Sequence, residues 1–335
     1  MDALLNRQSE SAWDRFKSSP VLFLARLIYH PTSILSTSFV SLSSKDSSVR
    51  IVCISDTHNT HHSQPQLPEG DILIHAGDLT VSGTRKELDD VLSWLSDQPH
   101  PHKIFIAGNH DSCLAEDGMN DYVARTYPDL RYLENSEVQL QVTISPGHSK
   151  ERKNERIIRI YGSPFTPKHG SFKFQYPRVH PPWYSATSSP TSSYESTKIW
   201  NTIPPVVDIV VTHGPPYAHL DGRNWGTGMG AGCYALLAAL WRVRPRLHVF
   251  GHIHVGRGVE VVHWDDKQRA YEDVCAGRAG ITGLVRLTWL TAVGWLSSLF
   301  GGQAKAETMI LVNAAAVGGR GLVDDELKGA IVVEI

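Results

Sequence analysis

VRIVCISDTH, residues 49–58, decides how the chain is read: a short apolar run that ends in Asp56-Thr57-His58. The same pattern recurs. DILIHAG (71–77) runs into Asp78, and HKIFIAG (102–108) into Asn109 and His110. DIVVTHG (208–214) carries His213, and LHVFGHI (247–253) carries His252 just before His254. Nearly continuous apolar runs of this length predict strands covered on both faces. Helix-like text lies between them, as in TRKELDDVLSWLSD (84–97) and CYALLAALWRV (233–243). Strands alternating with helices predict a layered α/β domain. In such sheets the ligand crevice lies beyond the carboxyl ends of the strands, which is where every run places its oxygen and imidazole donors. Asp56/His58 and His252/His254 are also i,i+2 pairs, which point to one side if the strand end is extended.

Composition sets the outer limits. With 335 residues, 41% hydrophobic and 20% charged, the chain falls within the globular norm. A formal net charge of −2 excludes wholesale nucleic-acid binding, because no basic footprint is available for phosphate backbones. Four scattered cysteines without a CxxC pair exclude a disulfide framework. Residues 1–19 hold Arg7, Asp14, Arg15 and Lys17 and lack an apolar core, so no secretory signal is expected. The expected setting is reducing and cytoplasmic.

Residues 1–48 read as an N-terminal extension and linker, with a short helix in VLFLARLIY (21–29), and residues 49–335 as the domain. Insertions are expected at 145–156, 180–196 and 265–308. The third contains ITGLVRLTWLTAVGWLSSLF (281–300). Twenty helical residues reach ~30 Å, the thickness of a bilayer core. Arg286, which costs roughly 2.5–3.5 kcal/mol at mid-bilayer, and the strand-like text that follows argue against a span. Ile281, Leu284, Val285, Trp289, Ala292, Leu296 and Leu299 share one helical face, opposite Gly283, Arg286, Gly294 and Ser297. The apolar face is expected to pack on the body of the protein, with a second copy of the chain or a membrane interface as alternatives.

Taken singly, each donor has an ordinary explanation. A strand-end Asp is commonly a helix N-cap, a lone His a hydrogen-bonded core residue, and a Gly a turn residue. Their joint occurrence at the ends of successive strands is what points to a metal site. DTH (56–58), GD (77–78), GNHD (108–111), THG (212–214) and GHIH (251–254) together resemble the five-block signature of calcineurin-like metallophosphoesterases. HAGDLT, HPHKIFIAGNHD, YGSPF, VTHGPP, RPRLHVFGHIHVGRG and LVNAAA further resemble the small metallophosphoesterase-domain-containing branch, close to class III cyclic nucleotide phosphodiesterases. The resemblance covers residues 49–262 and 309–316.

That resemblance implies an αββα-type sandwich with two divalent metal ions (Mn2+, Fe2+/3+ or Zn2+) at the carboxyl ends of the strands. Asp56, His58 and His254 would hold the first ion and Asn109, His213 and His252 the second, with Asp78 bridging both. Imidazole and carboxylate donors suit these metals, and such a pair acidifies a bridging water to a hydroxide near neutral pH. His110 would face the leaving group, with Asp111 orienting its imidazole or, alternatively, capping the next turn. The implied activity is hydrolysis of a small phosphomonoester or phosphodiester, cyclic nucleotides included. A protein phosphatase or nuclease on the same centre, or a catalytically silent metal-binding scaffold, are the alternatives. His75 reads as structural, since it lies inside its strand. Arg85, Arg223 and Arg257 read as solvated or as phosphate contacts, Cys53 as a buried hydrophobe, and Cys233 as a helix-opening thiol whose pKa could be lowered there.

Overall fold

Period-two alternation sorts each strand into two environments. In Arg50–Ile54, Ile51 and Cys53 join a core shared with Ile158, Ile160, Ile209, Val211, Leu247 and Val249. Val52 and Ile54 point the other way, toward Leu88, Val91, Leu92 and Leu95 of the Arg85–Ser96 helix. Val210 likewise turns its back on the shared core and packs on Leu236, Ala239 and Leu240 of the Tyr234–Val243 helix. The result is two sheets face to face with helices outside each, the αββα arrangement. Each of these buried aliphatic side chains contributes roughly 1.5–3 kcal/mol relative to exposure. The computed structural model describes residues 11–29, 34–35, 39–41, 48–144, 154–178, 198–222, 230–300, 307–318 and 327–335.

One sheet has six strands in the order 39–41, 331–334, 50–54, 72–75, 102–105, 130–132. The other has seven, in the order 34–35, 258–263, 308–313, 247–250, 209–212, 154–163, 136–144. Strands 50–54, 72–75 and 102–105 run parallel, as do 209–212, 247–250 and 308–313. Their carboxyl ends meet: the Ser55 N–H donates to the Ala314 carbonyl at 3.0 Å, and the Ala316 N–H to the Ser55 carbonyl at 2.7 Å. Asp56 therefore emerges from one sheet directly beside the end of the other.

The segment read as an extension is stitched into this body. The Pro20–Tyr29 helix buries Leu22, Ala25 and Tyr29 in a cluster with residues of the Asp266–Cys275 and Ile281–Leu299 helices. Tyr29 stacks on Tyr271 at 3.9 Å. Residues 34–35 pair with 258–263, and 39–41 with 331–334, each forming the edge strand of one sheet among the described residues. The first expected insertion is also shorter than 145–156: residues 154–156 open a strand antiparallel to 142–144. Residues 145–153, 180–196 and 301–306 of the expected insertions lie outside the described residues.

Helix 281–299 packs on the body, but by the wrong face for the wheel argument. Gly283 and Leu287 are buried and Leu284 and Leu290 join the cluster, while Ile281, Val285, Trp289, Leu296 and Leu299 are exposed. The reason is close approach. A Cβ on Gly283 would lie 2.8 Å from Val274 Cγ2, so the glycine side, not the bulkiest apolar side, lets the two helices meet. Among the described residues no helix is long and apolar enough to cross a membrane.

Candidate metal centre

The expected donors sit on the turns after the strands, and several of those turns are left-handed. Asp56 has φ 53°, His58 42°, Asp78 51° and His252 64°. Non-glycine residues held there cost about 1–3 kcal/mol each and concentrate at functional sites. Asp56 and His58 stay together as the same-side argument expects, but His252 and His254 separate into different clusters, because the left-handed turn at His252 breaks the extended geometry. The donor atoms of Asp56, His58 and His254 lie within 4.8 Å of one another, and so do those of Asp78, His213 and His252. Asp78 joins the two: its Oδ2 is 3.2 Å from His213 Nε2 and 3.7 Å from His58 Nε2. Asn109 Oδ1 lies 3.1 Å from the same His213 nitrogen. All seven expected ligand positions converge.

Backbone carbonyls set the imidazole tautomers. His213 Nδ1 lies 2.9 Å from the Ala76 carbonyl and His58 Nδ1 3.1 Å from that of Thr80. With Nδ1–H donating to a carbonyl, each Nε2 faces the carboxylates, the usual arrangement for a metal-binding His. Burial works against charge on Asp56 and Asp78, yet the histidines prevail and hold both carboxyls well below the usual carboxylate range: His254 foremost for Asp56, His213 for Asp78. Burial also works against a charged His213, but the Asp78 carboxylate lifts it to about 9. His252 is pushed down to about 3 by burial and by His213, and so stays neutral. Two ionised, buried carboxylates around an imidazole that must retain an extra proton form a donor set suited to cations. A divalent ion would displace that proton.

Two glycines make this packing feasible, and as sequence they are indistinguishable from turn residues. A Cβ on Gly251 would lie 1.9 Å from Asp56 Oδ2, and one on Gly108 2.2 Å from Asp78 Oδ1. Gly251→Ala must therefore displace the Asp56 carboxylate. Misplacement of about 1 Å costs on the order of 10²-fold in rate. We expect reduced metal content and a loss of that size, checked by elemental analysis and kcat; wild-type values for both would remove the spacer role.

The His110 N–H donates to Asp78 Oδ1 at 2.8 Å, and its Nδ1 lies 2.8 Å from the Val81 carbonyl. Its ring is edge-on to His58 at 4.9 Å and lies 4.7 Å from Phe172. Asp111 does not orient that imidazole. Its buried carboxylate accepts the N–H groups of Gly108, Leu79 and Thr80 at 2.7, 3.2 and 2.9 Å, plus the Thr80 hydroxyl at 2.7 Å. The residue stands at the N-cap position of the Ser112–Ala115 turn, but its side chain makes no capping bond there. Asp111 instead ties the turn carrying Asn109 to the turn carrying Asp78.

His75 is structural as expected: it is buried, with Nε2 3.0 Å from the Thr57 hydroxyl. Arg257 donates to the carbonyls of Ala314, Ala315, Lys328 and Gly329, clamping two chain segments. Arg85 lies over the Tyr122 ring and pairs with Asp89. Arg223 lies outside the described residues. Cys233 caps its helix through Sγ, and burial raises its thiol pKa rather than lowering it.

Residues 49–256 match the family described as Calcineurin-like phosphoesterase. The chain belongs to that family. Within this calcineurin-like phosphoesterase the matched stretch contains every candidate ligand, while strands 308–313 and 331–334 complete the two sheets from beyond it. The chain is 39% identical over 220 residues to human Metallophosphoesterase domain-containing protein 1, covering 63% of this chain and 62% of that one. A UPF0046 protein of Caenorhabditis elegans is 35% identical over 221 residues, covering 64% and 72%. A protein of Emericella nidulans named Probable rhamnogalacturonate lyase C is 42% identical over 343 residues, covering 100% of this chain and 29% of that protein. The chain thus spans less than a third of the fungal relative and under two thirds of the human one.

Proposed function

We propose that the protein hydrolyses small phosphate esters, monoesters or diesters including cyclic nucleotides, at a two-cation centre. The observation that carries this reading is the position of Asp78 Oδ2 between His213 of one cluster and His58 of the other. Asp56, His58 and His254 would hold one divalent ion, Asn109, His213 and His252 the other, and Asp78 would bridge them. When bound, such a pair supplies Lewis acidity toward phosphate oxygens and lowers the pKa of water to about 7. Asn109 contributes a neutral oxygen, which leaves the loaded centre net positive toward an anionic ester. His110 has Nδ1 committed to the Val81 carbonyl, so in its imidazolium form Nε2–H is the donor that would give a proton to the departing oxygen, leaving the neutral ring. Phe172 beside that ring offers an apolar flank to the ester group. The near-neutral charge supports a small substrate over a nucleic acid, and four free, buried cysteines support a reducing, cytoplasmic setting.

The test is a hydrolysis panel of an aryl phosphomonoester, an aryl phosphodiester, and 2′,3′- and 3′,5′-cyclic nucleotides. Metal-free protein is expected to be inactive, with Mn2+, Co2+ or Zn2+ restoring turnover. Full activity after exhaustive chelation, with no metal found by elemental analysis, would remove the two-cation reading.

A second measurement isolates His110. His110→Ala is expected to keep its metal while kcat falls by roughly 10²–10⁴, the range for a positioned acid. Loss of a metal ion in this variant would make His110 a ligand instead.

A further inference from the structure

Three residues past His58, the turn His61–Ser63 places two adjacent imidazoles against the Arg85–Ser96 helix. Asp90 on that helix sits between them. Its Oδ2 is 3.2 Å from His61 Nε2 and its Oδ1 3.4 Å from His62 Nε2. All three donor atoms fall within 4.8 Å of one another, and none belongs to the two clusters already described. Tetrahedral ligands ~2.0–2.1 Å from an ion stand about 3.3 Å apart, which matches both separations.

His61 supplies the second, independent observation. It is only 1% exposed; among the described residues its Nδ1 has no hydrogen-bond partner, and its Nε2 faces the Asp90 carboxylate. Burial, then the neighbouring His62, keeps its pKa below the ordinary histidine value despite the opposing pull of Asp90. A buried imidazole, a second imidazole and a carboxylate whose donor atoms crowd one point are the pattern of a metal site.

We propose that His61, His62 and Asp90 form a third divalent-cation site, separate from the catalytic pair. Two imidazoles and one carboxylate select a borderline ion of the zinc class over Mg2+ or Ca2+, which favour oxygen cages. His62 and Asp90 are largely exposed, with side chains 64% and 60% accessible, so the site opens to solvent and keeps a position for water. Coordination would hold the buried ring and Asp90 through one ion. The ion would clip the turn following Asp56-Thr57-His58 to the 85–96 helix, alongside the bond from Asn59 Nδ2 to Glu87 at 2.6 Å.

The full chain is equilibrated with Zn2+ alone, dialysed, and assayed for bound metal. His62→Ala and Asp90→Ala, both surface substitutions, are each expected to hold one zinc equivalent fewer than wild type while ester hydrolysis is unchanged. In the Asp78→Ala background the same equivalent should persist, which separates this site from the catalytic centre. Asp97→Ala, an exposed carboxylate at the end of the same helix, should retain the full complement. Equal zinc content in wild type and Asp90→Ala would overturn the proposal, as would loss of the same equivalent in Asp97→Ala.

Discussion

Asp78→Ala should empty both halves of the metal centre and reduce hydrolysis to the level of the chelated wild type. The expectation follows from position. Asp78 Oδ2 faces His213 and His58, one donor from each cluster, while Oδ1 accepts the His110 N–H. On the proposed two-cation reading, removing the carboxylate would take an anionic ligand from both ions at once, and it also removes the acceptor of the His110 N–H. Asp78→Asn retains a neutral oxygen and should fall between the two. Elemental analysis of both variants, with a thermal melt to confirm the fold, settles the matter. Retention of both ions by folded Asp78→Ala would show that the two clusters bind independently and that no bridge is needed.

The second large effect lies away from the centre. His219→Leu is expected to destabilise the protein by about 3–5 kcal/mol, the cost of leaving buried charge without its partner. At a few degrees per kcal/mol for a chain of this size, that is a fall in Tm on the order of 10 °C. His219 is buried between two buried carboxylates, with Nδ1 2.9 Å from Glu260 and Nε2 3.2 Å from Glu272. Gln268 and Trp241 donate to Glu272 at 2.7 and 2.6 Å, and the Tyr29 hydroxyl donates to Gln268, which connects the network to the N-terminal helix.

Burial disfavours a charged His219, but Glu260 and then Glu272 outweigh it and raise its pKa well above 6.5. A raised folded-state pKa means that this stabilisation is fully present below the unfolded value near 6.5 and is lost as pH rises through the folded value. The Tm gap between wild type and His219→Leu should therefore narrow on going from neutral to alkaline pH. A gap under about 2 °C at pH 7 would show that His219 does not stabilise the fold through these two carboxylates.

The candidate ligands were legible because each is a strongly typed residue at the end of a strongly typed run. Asp56, Asp78, Asn109, His213 and His254 follow apolar segments whose strand character is a local property, and the order of the blocks supplied the rest. Asp111 was misread for an equally local reason. Adjacency to His110 suggested contact, whereas its carboxylate binds backbone thirty residues away at Leu79 and Thr80. The role of His219 left no local signature, since its partners lie 41 and 53 positions along the chain.

What the sequence by itself determined is the set of donor-bearing strands, their doubly covered environment and the convergence of their carboxyl-end donors. Alternation and residue type act within windows of about ten residues, and each strand carries its own copy of that information. Only the tertiary structure decided how the donors divide, which carboxylate stands between them, and that Gly108 and Gly251 are spacers against Asp78 and Asp56. It also decided that helix 281–299 docks through Gly283 and Leu287 rather than its largest apolar face. These outcomes depend on distances of a few ångströms between segments remote in sequence, where the room left for one Cβ outweighs the hydrophobicity of a whole helical face.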